Sequence, residues 1–450
     1  IDPGHAVAGD EGGHVDGDPV LGARAVRSYA ADADLGATGA VAVTAGNTAR
    51  ILATIAVLSA SVSGGVLGGG ALAIGAAIAR NILGWDYAYT TASGTKTMLY
   101  GDKVRLADGY AGGGTPGAVY RYLGTNASRN LGTQDYSNTA LWVEEGPNQV
   151  KAYLDDTSVD AGGALTVSAT DTSSITALVA AGSVAAAASF GFALAGAGAG
   201  AQATNRIATQ VWAYIDGDGA TGISAASVSV TATSTTSITA TTGAVAVALS
   251  IAPLGAALAV AVAVATNEIG TDTAAFIRNT DTGLEATAGG VTVAAITQSP
   301  ALFTLSSGLP TRAQLNAGAT STLTTLSSLF AAQGESLSAA GLLDLTTVAT
   351  DAVWHLVDIP AGRAYLLRWV AGTLQVSRAT ISAYTVAAAV AEGLASFTGA
   401  GTKAVNTTTS RTRAFIGAGS VTASGDVTVT ARDARRISPS PGVTGNKSRC

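Results

Sequence analysis

Side chains that could do chemistry are few and scattered in this 450-residue chain. The three histidines, His5, His14 and His355, form no i,i+4 pair and no His-Glu-x-x-His motif, so a catalytic metal site is not expected. One cysteine (Cys450) and one methionine (Met98) exclude a disulfide framework and a zinc cluster. As the last residue, Cys450 could pair only with another molecule. No nucleophile elbow, phosphate-binding loop or dinucleotide fingerprint falls between a strand and a helix. The glycine runs Gly64-Gly65, Gly68 to Gly70 and Gly196 to Gly200 read as devices for close sheet packing rather than phosphate cradles. Two groups remain. The turn carboxylates Asp155, Asp156, Asp216 and Asp218 offer the oxygens that a Ca²⁺ ion collects, although Asp is also a good turn former and the Gly-Gly-x-Gly-x-Asp calcium repeat is absent. The second group is a set of rings: Tyr110, Tyr120, Tyr122, Tyr136 and Trp142. Exposed, they could stack on sugar rings; buried, they would supply the core of a module too small to build one from aliphatics. No metal, cofactor or catalytic constellation emerges, and the chain is not expected to be an enzyme.

The elements that must carry these residues repeat. Ala213-Tyr214-Ile215 leads through a turn to Val228-Ser229-Val230-Thr231-Ala232, then to Ser237-Ile238-Thr239-Ala240, then to an Ala/Val run ending at Asn267. The aromatic returns at Tyr153, Tyr214 and Phe276, spaced 61 and 62 residues apart, again at Phe415, and in degenerate form at Tyr29. A unit that cannot bury its apolar face alone stacks on its neighbours, which predicts an elongated body. The recurring rings then form a ladder at one corner. The run-ending Asn81, Asn205, Asn267 and Asn406 suggest an amide ladder or left-handed turns.

Composition agrees. Hydrophobic residues are 48% and charged residues only 12%, about half the usual share. The net charge of −6 leaves no basic surface for nucleic acid. Residues 51–79, 172–205 and 219–267 carry no charge and exceed the length of a spanning helix. Their period decides against a membrane span: Leu258, Val260, Val262 and Val264 alternate with Ala257, Ala259, Ala261 and Ala263, which is strand geometry. The expected fold is all-β, a parallel β-helix-like solenoid with about five short strands per repeat and two inserted modules.

The chain divides into an acidic, glycine-rich lead-in (1–25), a first repeat (26–84), an aromatic-rich module (85–149), repeats at 150–211 and 212–273, and the start of a fourth (274–299). A second insertion (300–378), with one or two short helices between Thr311 and Leu343, precedes a final repeat (379–437) and a linker-like tail (438–450). Tyr29 and Tyr153 lie 124 residues apart, twice 62, so the first module could replace one repeat.

The order aromatic-Ile, Gly-x-Val-x-Val-x-Ala, Ile-x-Ala, alanine-rich run, Asn resembles the repeats of very large secreted bacterial adhesins, the filamentous-haemagglutinin-like and leukotoxin-like filamentous families. The stretch Gly101-Asp102-Lys103-Val104-Arg105-Leu106, Val119-Tyr120-Arg121-Tyr122-Leu123-Gly124, Asp135-Tyr136 and Trp142 is similar to a module interspersed in such proteins. The resemblance implies a secreted or cell-surface bacterial stalk or fibre segment without catalysis, whose partners are copies of itself or the remainder of a larger chain. The same module is also similar to small chitin- or cellulose-binding modules. That likeness implies the alternative function, a carbohydrate-binding or carbohydrate-processing β-helix whose partner is a surface polysaccharide.

Overall fold

A computed structural model describes residues 25–349, 353–358, 363–435, 437 and 442–449. The lead-in with His5 and His14, the Ser-Pro stretch at 438–441 and Cys450 lie outside the described residues. The described chain is all-β apart from two short α-helices and brief 3₁₀ turns. No described helix is long and apolar enough to cross a membrane.

Alternation of β-branched or aromatic residues with small ones makes each repeat a series of strands, and each repeat adds one strand to four parallel sheets. The aromatic sheet contains Ala25–Ala31, Asn148–Asp155, Phe192–Asp216, Leu254–Arg278 and Ala395–Ile416, with Gly68–Leu83 beside the first half of Phe192–Asp216. The corner sheet holds Asp34–Ala37, Ser158–Ala161, Ile223–Ala225, Thr280–Ala286 and Gly419–Ala423. The valine sheet holds Val41–Asn47, Ala164–Asp171, Ser227–Ser234, Val291–Gln298 and Val427–Ala434. The isoleucine sheet holds Arg50–Gly65, Ser174–Ser189, Ser237–Ile251, Ile381–Glu392 and Gly442–Arg449. Registers match residue for residue: Tyr153 lies beside Tyr214, Val167 beside Val230, and Ile175 beside Ile238.

A repeat thus has four strands rather than five short ones. The Ile step runs on into the first Ala/Val run, and the second run continues through its Asn to the aromatic in one 25-residue strand. Nothing in the alternation breaks there, because the Asn amides stay inside the sheet. The corner strand is too short to announce itself by period.

Two cores result. Near the aromatic end, Val150, Ile215, Val167 and Val230 fill the space between the aromatic and valine sheets. Farther out, the aromatic and isoleucine sheets face each other through alanine: Ala197, Ala246, Ala261 and Ala389 are each at most 5% exposed. Leu258 and Val262 point outward and are 52% and 44% exposed. The cause lies at the tips, where the two sheets are joined by only two residues (66–67, 190–191, 252–253 and 393–394). Sheets tethered so closely hold mostly alanine between them, with Val179 buried farther from the tips. At Gly75 an added Cβ would lie 2.4 Å from the carbonyl oxygen of Gly182 in the opposite sheet. Gly196, Gly198 and Gly200, read from sequence as close-packing devices, instead sit on the outward face of their strand.

The first module loops out between Leu83 and Asn148, and Tyr29 pairs directly with Tyr153. It therefore interrupts a repeat rather than replacing one, and the factor of two in 124 is coincidental. The second insertion carries α1 (Arg312–Ala317) and α2 (Thr320–Ala332) against a five-stranded antiparallel sheet. Thr311 and Gln314 cap α1 reciprocally, and Gly318 ends it in the left-handed region. Within the tail, Gly442–Arg449 is a strand paired with Ile381–Glu392, which corrects the linker reading for those residues.

Candidate functional surfaces

The rings of the first module are its core. Tyr120, Tyr122, Tyr136 and Trp142 are 5%, 0%, 1% and 1% exposed and pack with Met98, Val104 and Leu131. Tyr136 meets Trp142 at 4.6 Å between centroids, and Trp142 meets Tyr122 at 5.1 Å. Tyr110 is partly buried over the edge of Tyr136 and donates its hydroxyl to the Gln134 carbonyl. A sugar needs an open ring face, and the four buried rings offer none. The possible carbohydrate-contacting role of these four is corrected accordingly. His355 is likewise buried, in the second module.

The turn carboxylates fall along the corner between the aromatic and corner sheets. Asp216 pairs with Arg278 and accepts from the Asn279 amide, while Asp218 accepts from the Gly283 N–H. Burial, then Asp216 and Asp32, raises the Asp155 carboxyl above its usual range. Asp32, Asp156, Gly217 and Asn279 hold the same turn in successive repeats, all with positive φ. That conformation explains the recurrent Asp, Gly and Asn. Among the described residues no cluster of three or more His, Cys, Asp or Glu could hold a metal.

Two ladders run across the repeats. The rings of Tyr29, Tyr153, Tyr214, Phe276 and Phe415 stack in sequence at 4.8–5.0 Å, each within 6° of parallel to the next. Asn81, Asn205 and Asn267 each donate a side-chain amide to the next Asn, ending at Asn406, at 2.8–2.9 Å. Of the two roles expected for these asparagines, the ladder is the one they adopt; they lie mid-strand rather than in turns.

A partly buried ionic seat escaped the sequence reading. Glu268 accepts from Arg105 at 2.5 Å, from Arg206 at 3.2 Å and from the Tyr87 hydroxyl. Arg206 also pairs with Asp86 and covers the Tyr87 ring at 3.6 Å. Burial, then the bond to Glu268, pushes the Tyr87 phenol up. Arg105 reaches on to Thr409, so the module is tied to three successive repeats. The available signal was positional: Arg206 and Glu268 directly follow Asn205 and Asn267, where the uncharged runs end.

On the outer face of the aromatic sheet, the Lys151 ammonium lies 4.8 Å from the Trp212 ring centroid, and the Trp212 indole donates to Asp272. Burial, then Arg27, lowers Lys151 to about 8, against an opposing pull from Asp272.

No family model, curated protein or solved structure matches this chain.

Proposed function

We propose that this chain is a segment or subunit of an extracellular bacterial fibre or adhesin stalk, built as a β-solenoid that associates end to end. The observation that carries the reading is the residue-for-residue register between repeats, which among the described residues leaves the backbone edges and the core open at the ends. Val427 and Val429 continue the stack of Val291 and Val293, which are fully buried, yet are 49% and 44% exposed. Among the described residues no strand pairs with the outer edge of Val427–Ala434. Such an edge is a template for another strand, supplied by a second copy or by more of a longer chain. The two ladders suit a stalk, because they add side-chain bonding along the axis to the backbone bonds. Secretion and bacterial origin rest on the resemblance of the repeats. This reading assigns the chain no catalysis, and the buried rings remove the main support for carbohydrate contact. Negative-stain imaging of the purified chain tests it: rods or filaments longer than one chain are expected, and discrete compact particles would contradict it.

A further inference from the structure

Beyond its ends, the body has an apolar flank. On the outer face of the aromatic sheet, away from the alanine core, four strands lie in the order Gly68–Leu83, Phe192–Asp216, Leu254–Arg278 and Ala395–Ile416. Over the middle of the face, at the levels of Ile74 and Ala76, their outward residues alternate in size from strand to strand, while Phe397 and Lys403 flank this stretch on the fourth strand. Leu72, Ile74 and Ile78 make a ridge, 67–69% exposed. Gly196, Gly198 and Gly200 make a groove beside it. Leu258, Val260 and Val262 form a second ridge, and Gly399 and Gly401 a second groove.

Contacts within the chain account for Gly196, where an added Cβ would lie 3.0 Å from the Leu72 Cδ1, but not for the other four. None of the five has positive φ, and a Cβ at Gly200, Gly399 or Gly401 would meet nothing within 4 Å. Glycine weakens a strand, and within one it often marks the close approach of another backbone or ligand. Here the grooves are bordered by uncovered aliphatic ridges, on a face whose first charge, Lys403, lies level with Ile78 and Val264, with Arg80, Arg206 and Glu268 beyond it.

We propose that this face pairs with the same face of a second copy of the chain, about a two-fold axis parallel to the strands. With the axis between Phe192–Asp216 and Leu254–Arg278, the order ridge-groove-ridge-groove meets its own reverse. Gly196 then faces Leu258 of the second copy, Gly198 faces Val260 and Gly200 faces Val262, while Ile74 faces Gly399; at the two ends of the face Leu72 meets Phe397 and Ile78 meets Lys403. Every contact occurs twice, as an isologous interface requires. Four strands at about 4.8 Å and ten residue steps at about 3.3 Å give a face of about 19 by 33 Å. That is about 600 Å² per copy and about 1,200 Å² in total, above the roughly 1,000 Å² expected of a specific interface. Lipid is a poorer occupant, because the outer edges of Gly68–Leu83 and Ala395–Ile416, unpaired among the described residues, would lack hydrogen-bond partners in hydrocarbon. Pairing of copies leaves those edges in water. The proposal concerns the flank of the body and does not depend on end-to-end assembly.

The test uses the full chain with Cys450→Ser, so that no disulfide contributes to association. Sedimentation velocity compares this parent with Gly200→Val and with the exchange Gly200→Val/Val262→Gly, circular dichroism confirming that each variant is folded. Two-fold pairing predicts a dimeric unit in the parent, at least about tenfold weaker pairing in Gly200→Val from overfilling the groove, and recovery in the exchange variant. If filaments are absent but this pattern holds, the flank pairing stands without the stalk reading. Equal pairing by folded Gly200→Val, failure of the folded exchange variant to recover, or a monomeric parent overturns the proposal. A parent that is monomeric alone but floats with phosphatidylcholine vesicles would assign the face to lipid instead.

Discussion

Alanine does the work usually left to larger residues between the aromatic and isoleucine sheets. Ala261 and Ala263 are fully buried, whereas Val262 between them is largely open. Replacing either alanine with leucine forces added carbons against the facing sheet and should cost on the order of 1–3 kcal/mol or more. In the separated chain Val262→Ile should stay within about 0.5 kcal/mol, as substitutions at exposed sites usually do. Urea midpoints measure both, and equal tolerance would mean that the alternation does not separate a packed face from an open one. Lys151 supplies a second test at this scale. The unfolded chain keeps its proton to the ordinary value of 10.5, while the folded chain gives it up near 8. Between those values the unfolded state binds more protons, so this group makes stability rise with pH. Lys151→Met should flatten that rise relative to the parent when denaturant midpoints are compared at about pH 7.5 and about pH 9.5. An unchanged slope would show that the ammonium is not buried as described.

The strands were legible because period two is written plainly in Leu258 to Val264, and the ring and amide ladders because Tyr153, Tyr214 and Asn205, Asn267 recur at one spacing. Which face turns inward was not legible. Alternation marks two faces, and transfer energetics alone would bury Val before Ala; near the two-residue tips the sheets lie so close that alanine fills the space between them, while Val179 is buried farther along. The rings of the first module illustrate the same ambiguity, since Tyr122 and Trp142 have one chemistry whether they stack on sugar or on each other. The ionic seat was hidden because its partners come from Arg105, Arg206 and Glu268, far apart in sequence and joined only by the stacking of repeats. It carries the prediction at this scale. Glu268→Gln keeps the size but removes the charge shared by Arg105 and Arg206, at a cost of about 1.5–3 kcal/mol for hydrogen bonds between charged groups. Hydrogen exchange should quicken around Tyr87 and Arg105 while the alanine core keeps its protection. Uniform exchange throughout would show that the seat does not hold the module to the body.

At the scale of the molecule, parallel strands in register across repeats have a consequence that no single residue carries. Backbone groups are satisfied along the stack and, among the described residues, left unpaired at its ends, where Val427 and Val429 also expose the inner face. The uncharged runs place few charges that would act as gatekeepers against pairing. Association driven by backbone pairing and apolar burial should resist salt, unlike association through exposed charges. Sedimentation of the purified chain at about 0.1 M and about 1 M salt therefore bears most directly on the account, because screening shortens from about 10 Å to about 3 Å between them. Assemblies larger than one chain should form and persist at the higher salt. A compact monomer at both concentrations would contradict it.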